Sequence, residues 1–159
     1  MKKALMVLLA MFTVCVFAGP GRVEAATTRY SYKDLTKKTV TASEKKSINY
    51  INNYGGFRNV FPGKKFQPTK KITRREFVII LRNLYGATYA PTYYEDLLNA
   101  NHKISASFAC GRMVEVSKKI GYTIKWKAGT GTLTRADAAE YIYIFATFSD
   151  KLKPKIATK

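Results

Sequence analysis

The feature that most constrains this chain is a repeat. "ITRREF" at residues 72–77 recurs as "LTRADA" at residues 133–138, an offset of 61. "YKDL" at residues 32–35 recurs as "YEDL" at residues 94–97, an offset of 62. Two separate anchors with nearly one offset mark a duplicated unit, in which each copy needs the other to bury its apolar face. The chain accordingly divides into a leader at 1–25, repeats at 30–88 and 92–149, and a tail at 150–159.

Each repeat carries two helical patterns. Phe77, Ile80, Leu81 and Leu84 fall at i, i+3, i+4 and i+7, the stripe that one helix face buries. Ala138, Tyr141, Ile142 and Phe145 match them position for position, and Gly86 is placed to stop the first of these helices. An earlier helix is expected over residues 43–54, with Ile48, Ile51 and Tyr54 inward and Gly55-Gly56 at its end. Thr41 and Glu44 stand before it in capping-box spacing. Its counterpart is expected over residues 107–120, with Phe108, Met113, Val116 and Ile120 apolar and Gly121 as its stop. "FRNVFPGKKFQPTKK" and "YTIKWKAGTGT" are loops between paired helices, and "ATYAPTY" joins the repeats. The fold class that follows is all-α, two tandem helix–loop–helix units.

The repeated motif is first of all a helix start. Thr73-Arg74-Arg75-Glu76 fits the capping box, and Thr134-Arg135-Ala136-Asp137 is its near variant. The threonine hydroxyl accepts from the third amide of the helix, and the acid accepts from the threonine's own N–H. Each cap contributes about 1 kcal/mol. Ile72 with Phe77, and more weakly Leu133 with Ala138, have the spacing of a hydrophobic staple. Capping explains Thr73, Glu76, Thr134 and Asp137, but not Arg74 and Arg135. Both arginines stand at the first helical position, where the helix dipole disfavours a cation. Such a cation, placed twice, asks for a local anion, either an acidic side chain or a ligand.

Lys2 and Lys3 precede an apolar stretch at residues 4–18, and Val23-Glu24-Ala25 has the small residues of a cleavage site. This is the pattern of a secretory signal peptide, and the run falls short of the ~20 residues that span a bilayer. Secretion is therefore expected. The remaining chain holds one cysteine, Cys110, so stability must come from a packed core, with Cys110 as a small buried hydrophobe. Roughly 130 residues can supply such a core. The tail is basic, contains Pro154 and is expected to be mobile.

Lys and Arg number 28 against 10 Asp and Glu, a formal net charge of +18, and the excess survives removal of the leader. A charge of this size draws the protein toward polyanions over distances that salt shortens. No Gly-rich phosphate loop, no metal-ligand spacing and no motif-placed pair of carboxylates is present, and His102 and Cys110 form no recognisable nucleophile–base pattern. Neither catalysis nor a cofactor nor a metal is expected. The 11 tyrosines are expected mostly at core edges with their hydroxyls wet, with Phe66 and Trp126 as the loop aromatics for stacking on a ligand.

"FPGKKFQPTKKITRREFVIILRNLYG" resembles the C-terminal half of an S-layer homology (SLH) repeat. Phe61, Pro62, Phe66, Pro68, Ile72, Thr73, Arg74, Glu76 and Phe77 fall in register with that pattern, and "YKDL" takes the place of its Phe-x-Asp-Val opening. Repeat two keeps Tyr94 to Leu97 and Leu133 to Asp137. The departures are specific. Gly63-Lys64 replaces the family's Asp-Gly, repeat two lacks Phe-x-Pro with Trp126 only roughly in the Phe place, and neither first helix carries the usual Trp. The typical module sets three repeats around a pseudo-threefold axis, where this chain has two. The resemblance thus implies an incomplete module that self-association or another SLH protein would complete.

The resemblance also implies non-covalent attachment of a secreted protein to the cell wall or cell surface, through an anionic cell-wall polysaccharide. Arg74 and Arg135 carry over as the motif arginines that contact it. Lys64, Lys65, Lys70 and Lys71 would assist, with Phe66 and Trp126 as stacking candidates. The alternatives are a non-catalytic scaffold with the same fold that has lost glycan binding, and a polyanion binder driven by charge alone. No specific nucleic acid is expected.

Overall fold

The computed structural model describes residues 29–86, 98–125 and 129–154. The leader, the "YEDL" copy with most of the linker, Trp126 and residues 155–159 lie outside the described residues. Four α-helices are present: α1 (Ala42–Asn53), α2 (Arg74–Tyr85), α3 (Ala106–Lys119) and α4 (Arg135–Phe148), followed by a 3-10 turn at Asp150–Leu152. Among the described residues there is no strand, and the fold is all-α as expected.

The helices start where the sequence says they should. Thr41, Thr73 and Thr134 are N-caps, each closing a reciprocal capping box. The Glu76 amide donates to Thr73 Oγ1 at 3.1 Å, while the Thr73 amide donates to Glu76 Oε2 at 2.8 Å. Asp137 and Thr134 repeat the exchange at 3.1 and 2.7 Å. Ser105 caps α3, accepting from the Phe108 amide at 3.2 Å. Phe108 stands where the other helices have an acid, so the return bond has no acceptor there.

Three of these starts are joined in a ring. The Ile72 amide donates to the Leu133 carbonyl, Leu133 to Ile104, and Ile104 to Ile72, at 3.1, 3.0 and 3.4 Å. A second set runs around them: Arg74 to His102, Ala106 to Gly131 and Arg135 to Lys70, at 2.7, 3.0 and 2.8 Å. Isolated bridges Lys71–Thr134, Thr73–Lys103 and Ser105–Thr132 complete the pattern. The main chains entering α2, α3 and α4 therefore obey threefold order, with Ile72, Ile104 and Leu133 buried at the axis. The second set satisfies the first amide of each helix, which a helix start otherwise leaves without a partner. This threefold pattern closes within one chain and draws its third member from the entry to α3. All three members of the ring belong to one chain.

The two repeats are interlocked. α1 of the first repeat lies along α4 of the second, which also packs on α3 and the 3-10 turn, while α2 packs on α3. α4 can be central because Ala136, Ala138, Ala139 and Ala146 let neighbours approach while Ile142 and Phe145 fill the core. In the first repeat, "YKDL" sets the loop: Tyr32 and Leu35 pack inward, and the Asp34 carboxylate accepts from the Phe66 and Gln67 amides at 2.8 and 2.7 Å. Asn52 of α1 clamps Tyr30, accepting from its amide at 3.0 Å and donating to its carbonyl at 2.7 Å. Gly56 permits close approach, since a Cβ there would meet Ile51 Cγ2 at 2.5 Å.

Ile120 is exposed, since α3 ends at Lys119 and Ile120 becomes its C-cap. One local expectation is corrected. The tail is not mobile from residue 150: Ser149 caps the 3-10 turn, and Leu152 and Pro154 are buried, Leu152 completely. An apolar side chain in an otherwise basic tail docks the segment on α4. We predict that Leu152→Ala lowers stability by about 2–4 kcal/mol in urea unfolding, a core-sized loss that a mobile tail would not show.

Candidate functional site

Arg135 of the repeated motif is buried at the start of α4. Its guanidinium pairs with Glu76 Oε1 at 2.7 Å and donates to the Phe66 carbonyl and Gln67 Oε1 at 2.8 and 3.2 Å. It lies 4.0 Å from the centroid of the Phe61 ring, and the residue is only 7% exposed. The local anion required at the start of α4 is thus an acid of the protein. Glu76 accepts the Thr73 amide with one oxygen and Arg135 with the other, so one carboxylate serves two helix starts. Gln67 sits at φ 57, a conformation that a non-glycine residue holds only when its surroundings fix it. Asp34 on its amide and Arg135 on its side chain fix it from both sides.

The threefold order assigns equivalents at the other corners. Arg74 occupies the place of Arg135 at the start of α2, and its guanidinium lies 4.7 Å over the ring of Phe108. Phe108 is the residue of α3 that corresponds to Glu76, and Arg112 stands 5.0 Å from the same ring. The Arg74 guanidinium thus has an aromatic face among its neighbours. At the third corner the first helical residue is Ala106, which carries no cation. Tyr141 fills that corner: a Cβ on Gly129 would meet Tyr141 Oη at 2.5 Å and Ala106 Cβ at 3.8 Å.

The remaining candidates separate cleanly. Lys64, Lys65, Lys70 and Lys71 are exposed, and Lys71 donates to the Thr132 carbonyl at 2.9 Å across the ring. Phe66 is not available for stacking on a ligand. It is fully buried among Tyr32, Phe57 and Phe61, with ring centroids 5.1–5.3 Å away. Tyr30, Tyr32, Tyr50, Tyr54, Tyr85, Tyr122 and Tyr141 pack half-buried on the core. Burial also pushes the Cys110 thiol up to about 11, while His102 is exposed and uses its carbonyl to accept from Arg74. Among the described residues no three His, Cys, Asp or Glu side chains cluster as metal ligands, and no helix is long and apolar enough to cross a membrane.

Sequence reasoning missed a groove on the outer side of α2, walled by Arg58, Arg75 and Arg82. The i, i+7 spacing of Arg75 and Arg82 was visible in the sequence, whereas the approach of Arg58 depends on the fold. Comparison with known protein families, curated proteins and solved structures finds no match to this chain.

Two measurements follow from this geometry. Arg135→Ala, which leaves Glu76 and two acceptors of the Phe66–Gln67 turn without their donor, is expected to cost about 3–5 kcal/mol. In a double-mutant cycle with Glu76→Gln the coupling should reach about 1–3 kcal/mol. Cys110 should react with a thiol reagent such as dithionitrobenzoate orders of magnitude more slowly in the native protein than in denaturant.

Proposed function

We propose that the chain is a secreted, non-catalytic SLH-like module that attaches to the cell surface by binding an anionic cell-wall polysaccharide. The observation that carries this reading is the ring at the starts of α2, α3 and α4. Its threefold order suits the pseudo-threefold plan that the Ile-Thr-Arg-x-Glu resemblance implies, with the motif residues at its corners. The formal charge of +18 supplies attraction for an acidic polymer, Lys64 and Lys65 are exposed, and exposed Lys70 stands at the ring. The Nη1 and Nη2 groups of Arg135 are engaged by Phe66, Gln67 and Glu76, which favours an architectural role for this arginine.

The same burial of Arg135 favours a second reading, a scaffold that keeps the motif for its own folding. One experiment separates the two. Protein-free cell walls are prepared with and without their anionic polysaccharide, and the purified chain is sedimented with each at fixed salt. The bound fraction is expected to fall at least tenfold on the stripped walls. Equal sedimentation with both, falling steeply as salt rises, would identify attraction by charge alone, and no sedimentation with either would leave the scaffold.

A further inference from the structure

α1 and α4 pack on each other more extensively than any other pair of helices, and one comes from each repeat. An open cleft of about 540 Å³ lies along their junction. Its α1 bank presents Lys45, Lys46, Asn49, Tyr50 and Asn53, and Tyr143 of α4 stands opposite. The five α1 positions fall at i, i+1, i+4, i+5 and i+8, which is one helix face, and eight residues at 1.5 Å each make it roughly 12 Å long. Ile48 and Ile51 anchor α1 in the core, as Ile142 and Phe145 anchor α4. Both banks therefore stand on packed helices, which hold side chains more closely than loops do.

Three chemistries meet in this cleft. Lys45 and Lys46 are exposed cations, and the Lys46 ammonium reaches across to stand 5.4 Å from the centroid of the Tyr143 ring. Asn49 and Asn53 are exposed one turn apart, each with a carboxamide that both donates and accepts. Tyr50 and Tyr143 supply aromatic surface, their rings 5.1 Å apart and crossed at 82°. The outer face of α4 continues from Tyr143 as an apolar ledge. Ile144 is 52% and Phe148 60% exposed, and Thr147 between them turns its hydroxyl back to the Tyr143 carbonyl at 2.8 Å. Half-buried Glu140, one turn before Ile144, adds an acceptor beside the ledge. From Tyr141 to Phe148 the helix has no charged residue, so apolar side chains face outward as well as inward. A helix apolar on all its sides is ordinarily covered.

We propose that the cleft between α1 and α4 receives the acidic polysaccharide, an inference that rests on the wall-binding reading above. The mixture of groups selects the ligand. A polyanion held by charge alone needs only the lysines, and an acidic amphipathic peptide needs only lysines beside an apolar ledge. Carboxamides at Asn49 and Asn53 match the hydroxyls of a sugar, which donate and accept at once. Tyr143 and the α4 ledge take the C–H faces of the rings. Lys45 and Lys46 act on the acidic groups as point charges. Glu140 opposes a polymer charged at every unit, so the sugar chain carries its acids at intervals, with neutral sugars between them.

The test uses three double variants of the full chain. Asn49→Ala/Asn53→Ala removes no charge, Lys45→Ala/Lys46→Ala removes two charges from the cleft, and Lys37→Ala/Lys38→Ala removes two from an exposed turn elsewhere. All are checked for unchanged thermal unfolding, and the single replacements stand in for any pair that fails. They are sedimented with intact walls and titrated at fixed salt with hyaluronate, whose carboxylates fall on every second sugar, and with polyglutamate, a peptide polyanion. The asparagine pair is expected to lose at least tenfold in affinity for hyaluronate and walls, and less than twofold for polyglutamate. The Lys45/Lys46 pair should lose about tenfold with every probe, and the Lys37/Lys38 pair less than threefold. Equal losses in the two lysine pairs overturn the cleft. So does an asparagine pair that sediments with walls as wild type does, which leaves wall binding standing. Wild type that binds polyglutamate but neither hyaluronate nor walls makes the occupant an acidic peptide and overturns the sugar. Where wild type binds walls and neither probe, the wall sedimentation of the asparagine pair decides. Wild type that ignores the wall polymer overturns the reading beneath.

Discussion

The Arg135 guanidinium joins three parts of the chain that sequence separates widely. It is carried by the first turn of α4, pairs with the capping acid of α2, and satisfies acceptors of the turn at Phe66 and Gln67. That turn is held in place by Asp34 of the N-terminal segment. A buried cation is costly to desolvate, and replacing the whole set with apolar groups would often be no less stable. Here, however, the Phe66 carbonyl faces inward at a loop that has no helix or strand to satisfy it. A donor with several N–H groups in one plane meets the carbonyl, the amide oxygen and the carboxylate at once, and rests its face on Phe61.

The helices and their caps were legible because they are local. Apolar spacing found all four elements to within a residue or two, and the Thr-x-x-acid pattern found the three capping boxes. The ring was not legible. It is made of main-chain groups of Ile72, Ile104 and Leu133, and the Ile104 segment lacks both the arginine and the acid that mark the other two. A repeat defined by side chains therefore shows two members where the backbone has three. Arg135 illustrates the same limit. Its unfavourable position at the dipole was readable as a demand for an anion, but whether Glu76 or a ligand met it depended on the fold.

The acids and bases of this protein have different occupations. Asp34, Glu44, Glu76 and Asp137 accept backbone amides, and Glu115 and Asp150 pair with cations on neighbouring turns. Four acids among the described residues are thus tied to holding loops and helix starts. With 28 Lys and Arg against 10 Asp and Glu, the field outside the molecule is positive overall, and it reaches about a Debye length, ~8 Å at physiological salt.

The packing of α1 on α4 has a consequence for how the chain comes into being. The first helix made finds its main helical neighbour only when the last one exists, more than 80 residues later. Closing so long a loop is slow relative to forming either helix, and neither repeat holds a finished core by itself. A polypeptide emerging from its N-terminus therefore stays open until nearly all of it is available.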